Sequence, residues 1–263
     1  MRGLLPIVAL LLASPAQAEE TFVDIELVLA VDVSRSMSPR ELEIQRRGYA
    51  EALSSGEVVD AITGGIHGQI ALTYIEWAGY GQQRTIIGWT LVGSQADADA
   101  IAQRLTARFE PGLRRTSISS VIAHASDSFE GNGYRGLRRV IDISGDGPNN
   151  MGRRVDLARD AATARGIVIN GLPLMTREGL GMQWHLDDLD QYYRDCVIGG
   201  PGAFVIPVLE WRHFPAAVRR KLVLEIAGQP ARVLPAQFTR QPGAQYDCLI
   251  GEKIWDEIMR DWE

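Results

Sequence analysis

Apolar and polar positions along the chain follow two periods. Short runs rich in aliphatic and β-branched residues recur at Ile25–Val33, Gln69–Trp77, Arg84–Leu91, Arg139–Ile143 and Gly166–Leu172. Their length and composition predict strands, the first of them buried on both faces. Between them, Arg40–Leu53, Gln95–Phe109, Ser117–Phe129 and Asp156–Arg165 carry apolar residues at helical spacing. Ser38 stands as an N-cap before Pro39, with Glu41 in the first turn of the first helix. The short link Gly79-Tyr-Gly81 makes Arg84–Leu91 a hairpin partner of Gln69–Trp77. Strands alternating with helices imply an α/β fold with a parallel sheet covered on both faces.

Past Leu172 the pattern loosens. A short helix is expected around Asp187–Cys196, a last strand at Ala203–Leu209 and a helix at His213–Ile226. Residues 229–246 are punctuated by Pro and Gly. Cys248–Trp262 is amphipathic, with Ile250, Ile254, Trp255, Ile258 and Trp262 on one face. The chain therefore divides into a leader at 1–18, a main domain at 19–228 and an extension at 229–263 whose helix packs on that domain.

The leader reads as a secretory signal peptide. Arg2 supplies the positive start, Leu4 to Ala13 the apolar stretch and Ala16-Gln-Ala18 the small-residue cleavage site. An apolar run of about ten residues is too short to span a bilayer, and no later segment of the mature chain is long and apolar enough. A periplasmic or secreted protein is expected. Export places Cys196 and Cys248 in an oxidising compartment, where an even count suggests a disulfide; two separate buried thiols are the alternative. The net charge of −6 argues against nucleic acid as a partner. Lys occurs only at 221 and 253, the other basic residues being Arg.

The chemistry gathers where the first strand ends. Ile25-Glu-Leu-Val-Leu-Ala-Val-Asp-Val-Ser-Arg-Ser-Met37 closes on Asp32-x-Ser34-x-Ser36, at the strand end where open parallel sheets bind ligands. Thr116 stands on a loop running into the helix at Ser117. Asp146 lies in a Gly-flanked turn after Arg139–Ile143. These three elements, in this order, resemble the von Willebrand factor type A (VWA) family and its metal-ion-dependent adhesion site, over roughly residues 22–226.

The resemblance implies a doubly wound, mostly parallel sheet with one antiparallel edge strand and helices on both faces. It also implies a divalent cation held by Asp32, Ser34, Ser36, Thr116 and Asp146. Neutral hydroxyls leave such a cation electrophilic, and one open position takes an Asp or Glu carboxylate of a protein partner. Mg²⁺ suits that set, with Mn²⁺ or Ca²⁺ able to substitute. Each element alone has an ordinary explanation, since the serines cap helices and Asp146 suits a turn. Asn149, Asn150 and Trp184 are candidate ligand contacts. Asn149 and Asn150 equally suit a turn or the bracing of Asp146, and Trp184, Tyr192 and Tyr193 equally suit packing. Asp142 either assists the site or bonds a neighbouring loop.

No GxSxG elbow or phosphate loop is present, and His67, His124, His185 and His213 show no ligand spacing. The expectation is an exported binding module with no catalytic residues and no nucleotide. A metal-dependent hydrolase using the same site is the alternative.

Overall fold

The computed structural model describes residues 19–108, 112–176, 185–228 and 246–260. The leader, Trp184 and Trp262 lie outside the described residues. In chain order the elements are β1 (Thr21–Val23), β2 (Glu26–Asp32), α1 (Pro39–Leu53), α2 (Gly56–Thr63), β3 (Ile70–Trp77), β4 (Gln83–Val92), α3 (Gln95–Thr106), α4 (Ile118–Ser128), β5 (Tyr134–Gly136), β6 (Arg139–Gly145), α5 (Val155–Ala164), β7 (Ile167–Pro173), α6 (Leu189–Tyr192), α7 (Phe214–Ala227) and α8 (Ile250–Arg260). α6 runs on into a wide turn at Tyr193–Val197, and a 3-10 turn at Trp211–His213 leads into α7.

The main sheet has the order β4-β3-β2-β6-β7. Only the β3–β4 pair is antiparallel. This is the VWA-like, Rossmann-like architecture. All of β2 is buried. Successive side chains point to opposite faces of a strand, so Leu27, Leu29 and Val31 enter one core while Val28 and Ala30 enter the other. The first core is closed by α1, α2, α3 and α7. The second is closed by α4, α5 and the segment Leu189–Val197. Tyr192 and Tyr193 are fully buried there and pack that segment against the sheet. Ser38 and Glu41 form a reciprocal capping box that fixes the start of α1.

Residues 203–209 do not form the expected strand. They run beside β7 through isolated parallel bridges, Gly171 to Val205 and Leu174 to Val208. Gly171 N donates to the Phe204 carbonyl and Ile206 N to the Gly171 carbonyl, and Val208 N resumes by donating to the Pro173 carbonyl. The donor missing between them belongs to Pro173, which has no N–H, so the ladder breaks there. The two-stranded parallel pair β1–β5 and the helix α2 are additions to the expected elements.

Asp142 does not reach the strand-end loops. Its Oδ1 lies 2.5 Å from Lys221 Nζ, and Lys221 also pairs with Glu225 one turn along α7. Asn170 Nδ2 donates to Glu225 Oε1 at 2.9 Å. All four residues are buried, which makes this a charged knot tying β6 and β7 to α7.

Cys196 and Cys248 are bridged, with Cα atoms 5.5 Å apart. The bridge joins the segment after α6 to the entry of α8. Among the described residues no helix is long and apolar enough to cross a membrane.

Candidate metal centre

The loops following β2 and β6 and the loop preceding α4 meet at the C-terminal edge of the sheet. Leu113 N donates to the Val33 carbonyl at 2.8 Å, which draws the α4 loop onto the β2 loop. Asn150 N donates to the Thr116 carbonyl at 2.9 Å, and Thr116 N returns a bond to Asn150 Oδ1 at 3.1 Å. These bonds stitch the Thr116 loop to the Asp146 loop. Arg115, immediately before Thr116, has φ +70°. A non-glycine residue held in the left-handed region stores strain that the surrounding bonds must hold.

Asp32 ends β2 and is fully buried. Its Oδ1 accepts from Ser34 N at 2.7 Å, while its Oδ2 has no hydrogen-bond partner. The Ser34 and Ser36 hydroxyls are 2.9 Å apart, and Ser36 Oγ donates to Asp146 Oδ1 at 2.8 Å. Thr116 opens onto the same cavity as Ser34, Ser36 and Asp146. The chain thus gathers two carboxylates and three hydroxyls from three separate loops. Gly145 is required for that closeness. A Cβ there would lie 3.0 Å from Asp32 Oδ2 and 2.8 Å from the Tyr193 hydroxyl.

The electrostatics are those of a site short of positive charge. Burial, and then the charge of Asp146, push the Asp32 carboxyl well above its ordinary range. Burial pushes Asp146 up to about 6 against the bond from Ser36, and the charge of Glu41 adds to the rise. An orphaned buried carboxylate oxygen, a second carboxylate beside it and three hydroxyls make a hard-oxygen donor set. Such a set fits a cation that takes oxygen ligands and keeps some water. Among the described residues no three His, Cys, Asp or Glu side chains gather as a metal-holding group. A cation here would rely on serine and threonine hydroxyls beside only two carboxylates.

Asn150 lines the cavity. Asn149 does not: it is fully buried and braces the loop. Its N–H donates to the Tyr192 hydroxyl, its Oδ1 accepts from Ser119 N, and its Nδ2 donates to Glu252 Oε1. Partners on α4, α6 and α8 thus enclose it. Ile254, Trp255 and Met259 of α8 line the same cavity, as do the exposed Arg35, Arg114 and Arg115. The sequence signals the amphipathic face of α8 but not where it docks.

Solved structures share the fold. The proximal thread matrix protein 1 (PTMP1) of the mussel byssus matches with 15% identity and a TM-score of 0.56, over 80% of this chain and 49% of that one. The same protein with a zinc-occupied MIDAS motif matches with 16% identity and a TM-score of 0.55, over 80% and 49%. The pilus adhesin SpaC of Lactobacillus rhamnosus GG, in its open conformation, matches with 13% identity and a TM-score of 0.55, over 80% and 31%. The chain therefore spans about half or less of the length of these proteins. No curated protein matches its sequence. A family model described as "Protein of unknown function (DUF1194)" matches residues 22–230, and the chain, VWA-like in fold, belongs to that family.

Proposed function

We propose that the protein is an exported binding module that holds a protein partner through a divalent cation. Asp32, Ser34, Ser36, Thr116 and Asp146 are its cation-binding residues, Mg²⁺ its preferred ion and Mn²⁺ or Ca²⁺ compatible substitutes. The carrying observation is the buried, unpartnered Asp32 Oδ2 beside Asp146 and the serine hydroxyls at a cavity mouth. Such an arrangement gains most from a cation, because the ion favours the charged form that burial opposes in both carboxyls. With few charged donors the ion attracts a further carboxylate, which a partner's Asp or Glu supplies. Two fold relatives, one with a zinc-occupied MIDAS motif and one a pilus adhesin, support this reading. The signal-like start and the disulfide support export, to the periplasm or beyond.

The residues around the site also support binding without turnover. Among the described residues no His lines the cavity, and the carboxylate that does, Asp146, is taken as a cation ligand. Immobilised protein should capture its partner from an envelope extract in Mg²⁺ and release it in EDTA, and Asp32→Ala should capture nothing. Saturable, metal-dependent hydrolysis of an ester, peptide or phosphoester that disappears in Asp146→Ala would establish the hydrolase in its place.

A further inference from the structure

The terminal helix is built into the candidate site. α8 lies beyond residues 22–230, the part of the chain that the family model matches. Four contacts hold it in place. Gly251 packs on the Asn149 carbonyl so closely that a Cβ would come within 2.1 Å of the oxygen. Glu252 accepts from Asn149 Nδ2 at 2.7 Å. The Arg115 guanidinium lies 3.8 Å above the Trp255 ring, a stacked cation–π contact. The disulfide pins the entry of the helix. The first three reach the loops that carry Thr116 and Asp146 themselves.

Between α8 and the loops a cavity of about 580 Å³ remains. That is far more than one carboxylate fills, and it lies in the range of sites that bury a whole small ligand or a few residues. Its surface is divided. The floor carries Ser34, Ser36, Thr116 and Asp146. α8 lines the cavity with Ile254, Trp255 and Met259, and the exposed Arg35, Arg114 and Arg115 line it too. An occupant that matches this division carries a negative charge toward the floor and the arginines. It also carries an apolar group toward the helix.

We infer that the pocket selects an acidic peptide segment in which the carboxylate-bearing residue has an apolar neighbour, and that α8 is the wall that reads this neighbour. The inference rests on the cation reading above and adds the helix as its specificity element. Arg115 links the two halves, because its guanidinium lies on Trp255 while the next residue, Thr116, is part of the floor.

The test uses the whole mature protein in Mn²⁺ and three capped tetrapeptides containing Asp-Leu, Asp-Ser or Asn-Leu, with Mn²⁺ affinity measured separately. Asp-Leu should bind about five-fold or more tightly than Asp-Ser, as burial of an aliphatic side chain implies. Asn-Leu should not bind. Trp255→Ala should lose the Leu preference yet keep the Mn²⁺ affinity, which also shows that it is folded. Gly251→Ala, which forces α8 off the Asn149 carbonyl, should weaken Asp-Leu and leave Asp-Ser nearly unchanged.

Equal binding of Asp-Leu and Asp-Ser by the wild type, or a preference that survives Trp255→Ala, would overturn the inference and leave the cation reading standing. Tighter binding of both acidic peptides by Gly251→Ala would overturn it too, since α8 would then be an obstruction. Absence of Mn²⁺ binding in the wild type would overturn the cation reading and the inference with it.

Discussion

Replacing Lys221 by Met should lower the unfolding free energy at pH 7 by about 3–5 kcal/mol, the scale for removing one partner of a buried ion pair. Lys221 is wholly buried between Asp142 and Glu225. Met is of similar length and fills much of the same space, so the loss would report charge more than a cavity. Even with the lysine present, burial raises Asp142 against the opposing pull of Lys221. Burial and then the charge of Asp142 push Glu225 up to about 7. A carboxyl raised in this way stabilises the fold fully below its unfolded value and loses that contribution as pH climbs through its folded value. In the variant both groups should rise further. Its deficit should therefore shrink between pH 7 and pH 5, where both carboxyls take up protons. Urea denaturation of both proteins at the two pH values measures this. A deficit under about 1 kcal/mol at pH 7, the scale of an exposed pair, would contradict the knot's role, as would one that does not change with pH.

Cys248→Ser should cost roughly 4 kcal/mol, the chain-entropy value for a closed loop of this length; the two cysteines are 52 residues apart. The loss should also be local. α8 is joined to α7 through residues 229–245, and its inner face is only partly buried apart from Gly251. Without the bridge, hydrogen-exchange protection should fall first at 250–260 and 193–198, while β2 and β6 keep theirs. Wild-type protein in reductant should behave alike. Uniform loss of protection across the sheet, or a change under about 1 kcal/mol, would show that the bridge is not what retains the helix.

The alternation of apolar runs carried the sheet and its helices because β2, β3 and β6 are covered on both faces and have almost no other way to bury their side chains. The elements it did not reveal are those whose cause is not local. β1 and β5 are three residues each and exist only by pairing with one another. α2 offers the core just Val58 and Ile62. Residues 203–209 have strand-like composition, but a partner's missing N–H breaks their ladder.

The site divides in the same way. Asp32, Ser34, Ser36, Thr116 and Asp146 stand out because strand ends and helix starts are readable in the chain; the fold places the last four around one cavity and buries Asp32 against Ser34. Asn149 was not separable from Asn150 by sequence. Partners on α4, α6 and α8 enclose one, while the other stands at the cavity. Asp142 sits on an apolar strand, yet its partner is 79 residues away on α7, at a separation no local pattern encodes. Lys221 was visible only as one of two lysines.

Isothermal titration of the metal-free protein with Mg²⁺, and in parallel with Mn²⁺, decides whether Asp32 and its neighbours hold a cation. About one ion per chain should bind at pH 7, with affinity about ten-fold weaker at pH 5, because a carboxyl raised to about 6 must lose its proton to solvent before it holds the ion. Asp32→Ala should bind none. It should be no less stable than the wild type when both lack metal, since the substitution removes a buried carboxyl that already resists ionisation. Equal binding by wild type and Asp32→Ala, or no binding by the wild type at pH 7, would contradict the account.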